Sequence, residues 1–351
     1  MRFYQQSPNV KEDKPCFADL PRPLIQDIER VSGANIIGGR IAWGGYSPTC
    51  SMIFETQNQG QIFAKGTYPD HTAHGYKILH QEIEVYQNIP DLQILAPPYM
   101  GYVSYGGEDD WHLGLWQAIE NATIKKSLGN QDIDLIFTAL TQFYKSFEKN
   151  HMFGSSVLKP AAQMNFVGPI VTGQNSWIKF KDHSDRHNAF TQMFYDQDMA
   201  QTWLDKNLNE LIEQSLKSAD HDQNMISFDL RLDNIVFDVK VDRPFIIDWP
   251  DACIAPVGYD IINLCINIMV ESGQDSWDLL KQFTDISGIK ISKNDLVVIL
   301  SQLSGYYALQ AYRAVPAKLP RLRWIQKAML WGALTWLNHI DVCTDLPEFK
   351  D

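Results

Sequence analysis

The stretch that most constrains this chain runs from Ser227 to Trp249. It reads Ser-Phe-Asp-Leu-Arg-Leu-Asp-Asn-Ile-Val-Phe, then a polar link, then Pro-Phe-Ile-Ile-Asp-Trp. Ile235-Val-Phe237 and Phe245-Ile-Ile247 are β-branched and aromatic runs on either side of the turn-rich Asp238–Pro244 link, the pattern of a β-hairpin. An antiparallel hairpin returns its outer ends to one place. Asn234, just before the first run, and Asp248, just after the second, should therefore meet at one mouth. Asp229 lies five residues before Asn234, and Asp248 fourteen after it. Singly, these residues read as turn formers, a cap and a strand terminator. Jointly they suit phosphoryl transfer, which needs a carboxylate to orient and deprotonate an attacking hydroxyl and oxygen ligands to hold Mg²⁺ against phosphates. Asp229 fits the first role, Asn234 and Asp248 the second.

Such chemistry requires a nucleotide held from the N-terminal side. Ile41-Ala-Trp-Gly44-Gly45-Tyr-Ser47-Pro48 and the residues to Glu55 read as strand, tight turn, strand. Gly44 and Gly45 let the backbone approach phosphates, and Ser47 offers a donor. A second turn at Gln57–Gly60 leads to Gln61-Ile-Phe-Ala-Lys65, where an ammonium closes an apolar strand and needs a partner if buried. Residues 75–90 read as a helix with Leu79, Ile83 and Tyr86 on one face. Residues 95–102 and 111–116 read as strands around the acidic turn Gly106–Asp110.

Composition sets outer bounds. With 351 residues the chain can bury two cores. A net charge of -12 with no basic block argues against nucleic acid. Nothing near the N-terminus resembles a signal peptide, and no apolar run approaches the ~20 residues of a membrane span. Five scattered cysteines without a CxxC pair fit reduced thiols. A cytoplasmic, membrane-free protein is expected. His71/His74 and His183/His187 have helical ligand spacing but no third ligand or HExxH glutamate, so a His metal site is disfavoured.

The Asp229–Asp248 segment resembles the catalytic loop of the aminoglycoside phosphotransferase and choline kinase superfamily, His-Gly-Asp-x-x-x-x-Asn followed by an Ile-Asp-Trp or Ile-Asp-Phe strand end. Here Ser227 and Phe228 stand at the His and Gly positions. The resemblance spans roughly residues 36–340 and is strongest over 225–263. It implies an α+β, protein-kinase-like two-lobed fold with a small antiparallel-sheet N-lobe and a larger, mostly helical C-lobe. Residues 1–115 would form the nucleotide lobe, with 1–30 as an extension or first helix, 116–121 the hinge, and 122–351 the catalytic and substrate lobe. It also implies ATP or GTP and Mg²⁺ as cofactors and a small-molecule substrate. Lys65 would contact phosphates. Glu82 would pair with it, Glu84 being the second choice. Backbone groups of Trp116 and Ala118 would bind adenine, and Asp260 would brace the catalytic loop through backbone N–H groups.

The alternative is a pseudokinase that binds nucleotide or another ligand without turnover. A protein kinase is disfavoured because only twelve residues separate Asp248 from Asp260, too few for an activation segment. Substrate contacts are expected from the C-terminal helices and the loop around 167–176. Asp251, Asp260 and Glu271 suggest an acidic acceptor pocket for a cationic alcohol. Tail aromatics from Tyr306 to Trp336 are read as core rather than substrate box.

Overall fold

The computed structural model describes residues 14–43, 49–57, 60–69, 73–107, 109–125, 128–150, 157–219, 223–316 and 319–350. The chain opens with helix α1 (Arg22–Ser32), which stops at Gly33, where φ is +70° and the N–H caps Glu29 O at 2.8 Å. A five-stranded antiparallel sheet follows: β1 (Ile36–Ile41), β2 (Cys50–Thr56), β3 (Gln61–Thr67), β4 (Tyr99–Tyr105) and β5 (Trp111–Gln117), in the order β1-β2-β3-β5-β4. Helix α2 (Ala73–Asn88) crosses between β3 and β4.

Side chains alternate across a strand, and that alternation builds two separate contacts. Ile62 and Ala64 of β3 join Met52, Phe54, Leu113 and Leu115 in a core beneath α1. Phe63 and Lys65 take the opposite face, where Leu79 and Ile83 of α2 pack on Trp116. The sheet therefore presents Lys65 toward α2 and the rest of the molecule.

β1 ends at Ile41, where the sequence reading had a strand begin, so the first strand lies earlier in the chain than expected. The strand expected from Leu95 starts only at Tyr99. Pro90–Ile94 forms a 3₁₀ turn, and Pro97 and Pro98 carry no N–H for a ladder.

The second lobe holds helices α3 (Asn130–Asn150), α4 (Gly168–Val171), α5 (Trp177–Lys181), α6 (Ser184–Thr191), α7 (Gln197–Ser215), α8 (Gly258–Ser272), α9 (Ser276–Ser287), α10 (Lys293–Gln310) and α11 (Leu322–His339). Short strands β6 (Ala122–Thr123), β8 (Ile235–Asp238) and β9 (Arg243–Ile246) pair as β6-β8-β9, and β7 (Gln223–Ile226) pairs with β10 (Cys253–Pro256). α8 is buried from Gly258 through Val270, so it is the axis on which α9, α10 and α11 pack. Ile136, Leu140, Phe143, Tyr144 and Phe147 give α3 its buried stripe. No helix of the described residues is long and apolar enough to cross a membrane. This is a two-lobed α+β fold with an antiparallel-sheet N-lobe and a helical C-lobe.

Candidate active site

The β8–β9 hairpin does what its sequence suggests. Ile235 faces Ile246, and Ile247 N–H donates to Asn234 O at 2.9 Å, so the chain enters and leaves at one point. Asp248 follows at once, with φ +70°. A non-glycine residue in that region is held there against about 1–2 kcal/mol, and such positions collect at functional sites.

Lys65 reaches this point from the other lobe. Its Nζ donates to Glu82 Oε2 at 2.9 Å and to Asp248 Oδ1 at 2.5 Å. Glu82 is 2% exposed, and its other oxygen accepts from Trp249 N–H at 3.2 Å. Burial alone pulls the Lys65 amine down. The carboxylates of Asp248 and Glu82 more than reverse this and hold it above the usual amine range. Three elements from two lobes are thereby tied at one ammonium.

Asp229 stands beside this cluster. Asn234 Nδ2 donates to Asp229 O at 2.9 Å, a bond only the NH₂ end of the amide can make, so Asn234 Oδ1 is turned away and left to accept. Arg231 donates to Asp229 Oδ1, and its Nε and Nη2 grip Asp233 at 2.9 and 3.1 Å. Burial pushes the Asp229 carboxyl up to about 6, against the pull of Arg231. Sequence reasoning assigned Arg231 no role. Its position between two aspartates, each two residues away, was the available signal.

Beneath the loop, Asp260 accepts from Ser227 N–H at 2.9 Å, Phe228 N–H at 2.8 Å and Tyr144 Oη at 3.1 Å. Truncating it orphans three buried donors at about 1–3 kcal/mol each. Asp260→Ala should therefore lower the unfolding free energy by about 3 kcal/mol or more, and Tyr144→Phe by only about 1 kcal/mol. Urea denaturation checks the ratio, and equal losses would remove the backbone N–H bonds from the account. The Ser227 hydroxyl is buried with no hydrogen-bond partner among the described residues.

Two cavities meet at Asp248. The larger, 470 Å³, lies between the lobes and is lined by Lys65, Glu82, Trp116, Ala118, Asn234 and Asp248, among others. The smaller, 210 Å³, lies on the C-lobe side and is lined by Asp229, Arg231, Asp248 and Asp251 with Phe166, Phe228 and Tyr306. Asp229 thus faces one cavity and Asn234 the other.

Several expectations need correction. Gly44, Gly45 and Ser47 lie outside the described residues. Ala118 lines the larger cavity, but its N–H already donates to Gln61 O at 3.0 Å, so it is not a spare donor for a base. Trp116 sits opposite Phe63 in the β3–β5 ladder, its buried side chain packs with Leu79 and Ile83 of α2, and the residue lines the larger cavity. Of the three acids expected in an acceptor pocket, only Asp251 lines one. Asp260 is spent on the loop, and Glu271 sits near the far end of α8. Tyr306, read as core, lines the smaller cavity, while Trp336 is core as expected.

The sequence profile of the phosphotransferase enzyme family matches residues 70–283, more than half of the chain. The chain belongs to this family. The match ends at Phe283 in α9, so α10 and α11, which supply Tyr306 and Met329 to the smaller cavity, lie beyond the profile in this family member. No curated protein sequence matches it. Among solved structures, the GDP complex of wild-type aminoglycoside 2'-phosphotransferase-IIIa aligns with a TM-score of 0.58 at 11% identity, covering 86% of this chain and 93% of that one. An aminoglycoside phosphotransferase from Alicyclobacillus acidocaldarius aligns at 0.55 and 13% identity, covering 93% and 98%. A spectinomycin phosphotransferase in complex with ADP and spectinomycin aligns at 0.52 and 13%, covering 90% and 98%. At such identities these likenesses establish the kinase-like fold alone.

Proposed function

We propose that this chain moves the γ-phosphoryl group of ATP or GTP to a hydroxyl of a small molecule. The observation that carries the reading is the meeting of Lys65, Glu82 and Asp248 across the lobes, with Asp229 and Asn234 on either side of it. The larger cavity takes the nucleotide, and Lys65 offers its ammonium to the phosphates. Asn234 Oδ1 and the Asp248 carboxylate are hard oxygen donors at the shared wall, and they fit Mg²⁺. Bound there, the metal would offset charge on the β- and γ-phosphates. Asp229, on the acceptor side, orients the hydroxyl and takes its proton. Arg231 fixes the Asp229 carboxylate while Asp233 fixes Arg231. Asp260 braces the loop from below.

Asp251 motivates a cationic alcohol, an amino alcohol or an aminoglycoside. Among the described residues its carboxylate forms no hydrogen bond or ion pair. Burial, with Asp229 and Asp248 nearby, pushes it up to about 7. A cation in the cavity relieves that crowding. Nucleotide consumption with ATP and GTP against amino alcohols, aminoglycosides, neutral sugars and nucleosides tests the reading. Turnover confined to neutral acceptors removes the cation, and nucleotide binding without any turnover favours a pseudokinase.

The Lys65 cluster gives a separate check. Lys65→Met leaves Glu82 a buried carboxylate without its cation, at a cost of about 3–5 kcal/mol. Adding Glu82→Leu should restore most of that stability but not nucleotide binding. A double variant as unstable as the single one would show that the pair is not what Lys65 stabilises.

A further inference from the structure

Phe228 is where this chain departs from the glycine of the motif it resembles, and its backbone still adopts a glycine-like conformation, φ +65°. An aromatic side chain there is strained, because Cβ crowds the backbone in the left-handed region. Glycine would adopt the same conformation freely and keep the N–H bond to Asp260, which is a backbone contact. The strain therefore has to be offset by the ring. That ring is 7% exposed, packs on Tyr259 at 5.7 Å between centroids, and walls the smaller cavity beside Asp229. Phe166, Ile170, Leu303 and Met329 line the same cavity, beside the polar Asp251, Asn263 and Gln326. At 210 Å³ this cavity is below the roughly 300 Å³ at which pockets for drug-sized ligands begin.

We infer that Phe228 sets the size limit of the acceptor site, so that the chain accepts a compact, apolar-bodied alcohol and excludes multi-ring polyols. The inference rests on the phosphotransferase reading for the word acceptor, but the size limit itself is a property of binding. The apolar part of such a wall tells ligands apart mainly by fit, and the Phe228 ring next to Asp229 in the chain narrows what can approach it.

The test is calorimetric, on the full chain with Mg²⁺ and a non-hydrolysable ATP analogue. The probes are choline and 2-amino-1-phenylethanol as compact alcohols, and kanamycin and spectinomycin as bulky ones. Wild type should bind a compact probe at least tenfold more tightly than either bulky one. Phe228→Gly should reverse that preference, losing tenfold or more for the compact probe and gaining the bulky ones. Phe228→Ala keeps the strained backbone without the ring, so its melting temperature should fall below that of Phe228→Gly. Wild type that prefers kanamycin, or an affinity pattern that Phe228→Gly leaves unchanged, including no binding of any probe by either protein, overturns the inference. Nucleotide consumption is measured in parallel. A preference that reverses without any turnover would uphold the size limit while the phosphotransferase reading fails.

Discussion

Asp229→Asn should lower turnover by about 10²–10⁴-fold, the usual contribution of a positioned general base, with nucleotide affinity nearly unchanged. The exchange removes the proton-accepting oxygen and keeps the shape. Asp229 lines the smaller cavity and not the larger one proposed for the nucleotide, so the two measurements separate cleanly. The loop should hold as well. Its tie to Asn234 Nδ2 runs through the Asp229 carbonyl, and Arg231 retains both contacts to Asp233. Single-turnover kinetics with the best acceptor, beside nucleotide titration, checks this. Unchanged turnover takes Asp229 out of the base role. Lost nucleotide binding would mean that the variant disturbs the loop rather than the chemistry.

How far the sequence announced this arrangement differs from part to part, and the reasons are physical. The hairpin was legible because its two apolar runs and polar link are local, and local pairing fixes where Asn234 and Asp248 must go. An ammonium ending an apolar strand demands a partner, and the resemblance pointed to Glu82, but the reach of Lys65 to Asp248 across 183 residues had no local signal and appears only in the structure. The smaller cavity was not legible. Its walls come from the loop around Phe228, from Phe166 and α4, and from α10 and α11, and each contributes an aromatic or apolar residue indistinguishable in sequence from core. Tyr306 and Tyr307 show the difficulty: both line the cavity, although Tyr307 is 8% exposed and bonds Asn263 like a core residue while Tyr306 pairs edge-on with the exposed Phe166. Charge misled for a related reason. Acids near one another in sequence were pooled, whereas α8 buries Asp260 under the loop and carries Glu271 three turns away. Backbone pairing past Gln117, where Ala118 N–H donates to Gln61 O, likewise gave no sequence signal.

Asp248→Ala should abolish the Mg²⁺ dependence of nucleotide binding, and Asn234→Ala should weaken it. Asp248 is the residue both cavities share, and its carboxylate faces the Lys65 ammonium from the opposite lobe. Losing a charged contact of this kind costs about 3 kcal/mol, or about a hundredfold in affinity for the metal–nucleotide complex. The neutral Asn234 amide contributes less, about 1 kcal/mol or severalfold. Stability offers no explanation for the larger effect. Asp248 is crowded by the carboxylates of Asp229 and Asp251, so its removal relieves repulsion, and Lys65 keeps Glu82 at 2.9 Å. The decisive comparison is calorimetric titration with nucleotide in the presence and absence of Mg²⁺. Wild type should bind more tightly with the metal, whereas Asp248→Ala should bind equally in both. Equal metal-dependent gains in the two proteins would place the metal on other ligands and leave Asp248 as the anchor of Lys65 alone.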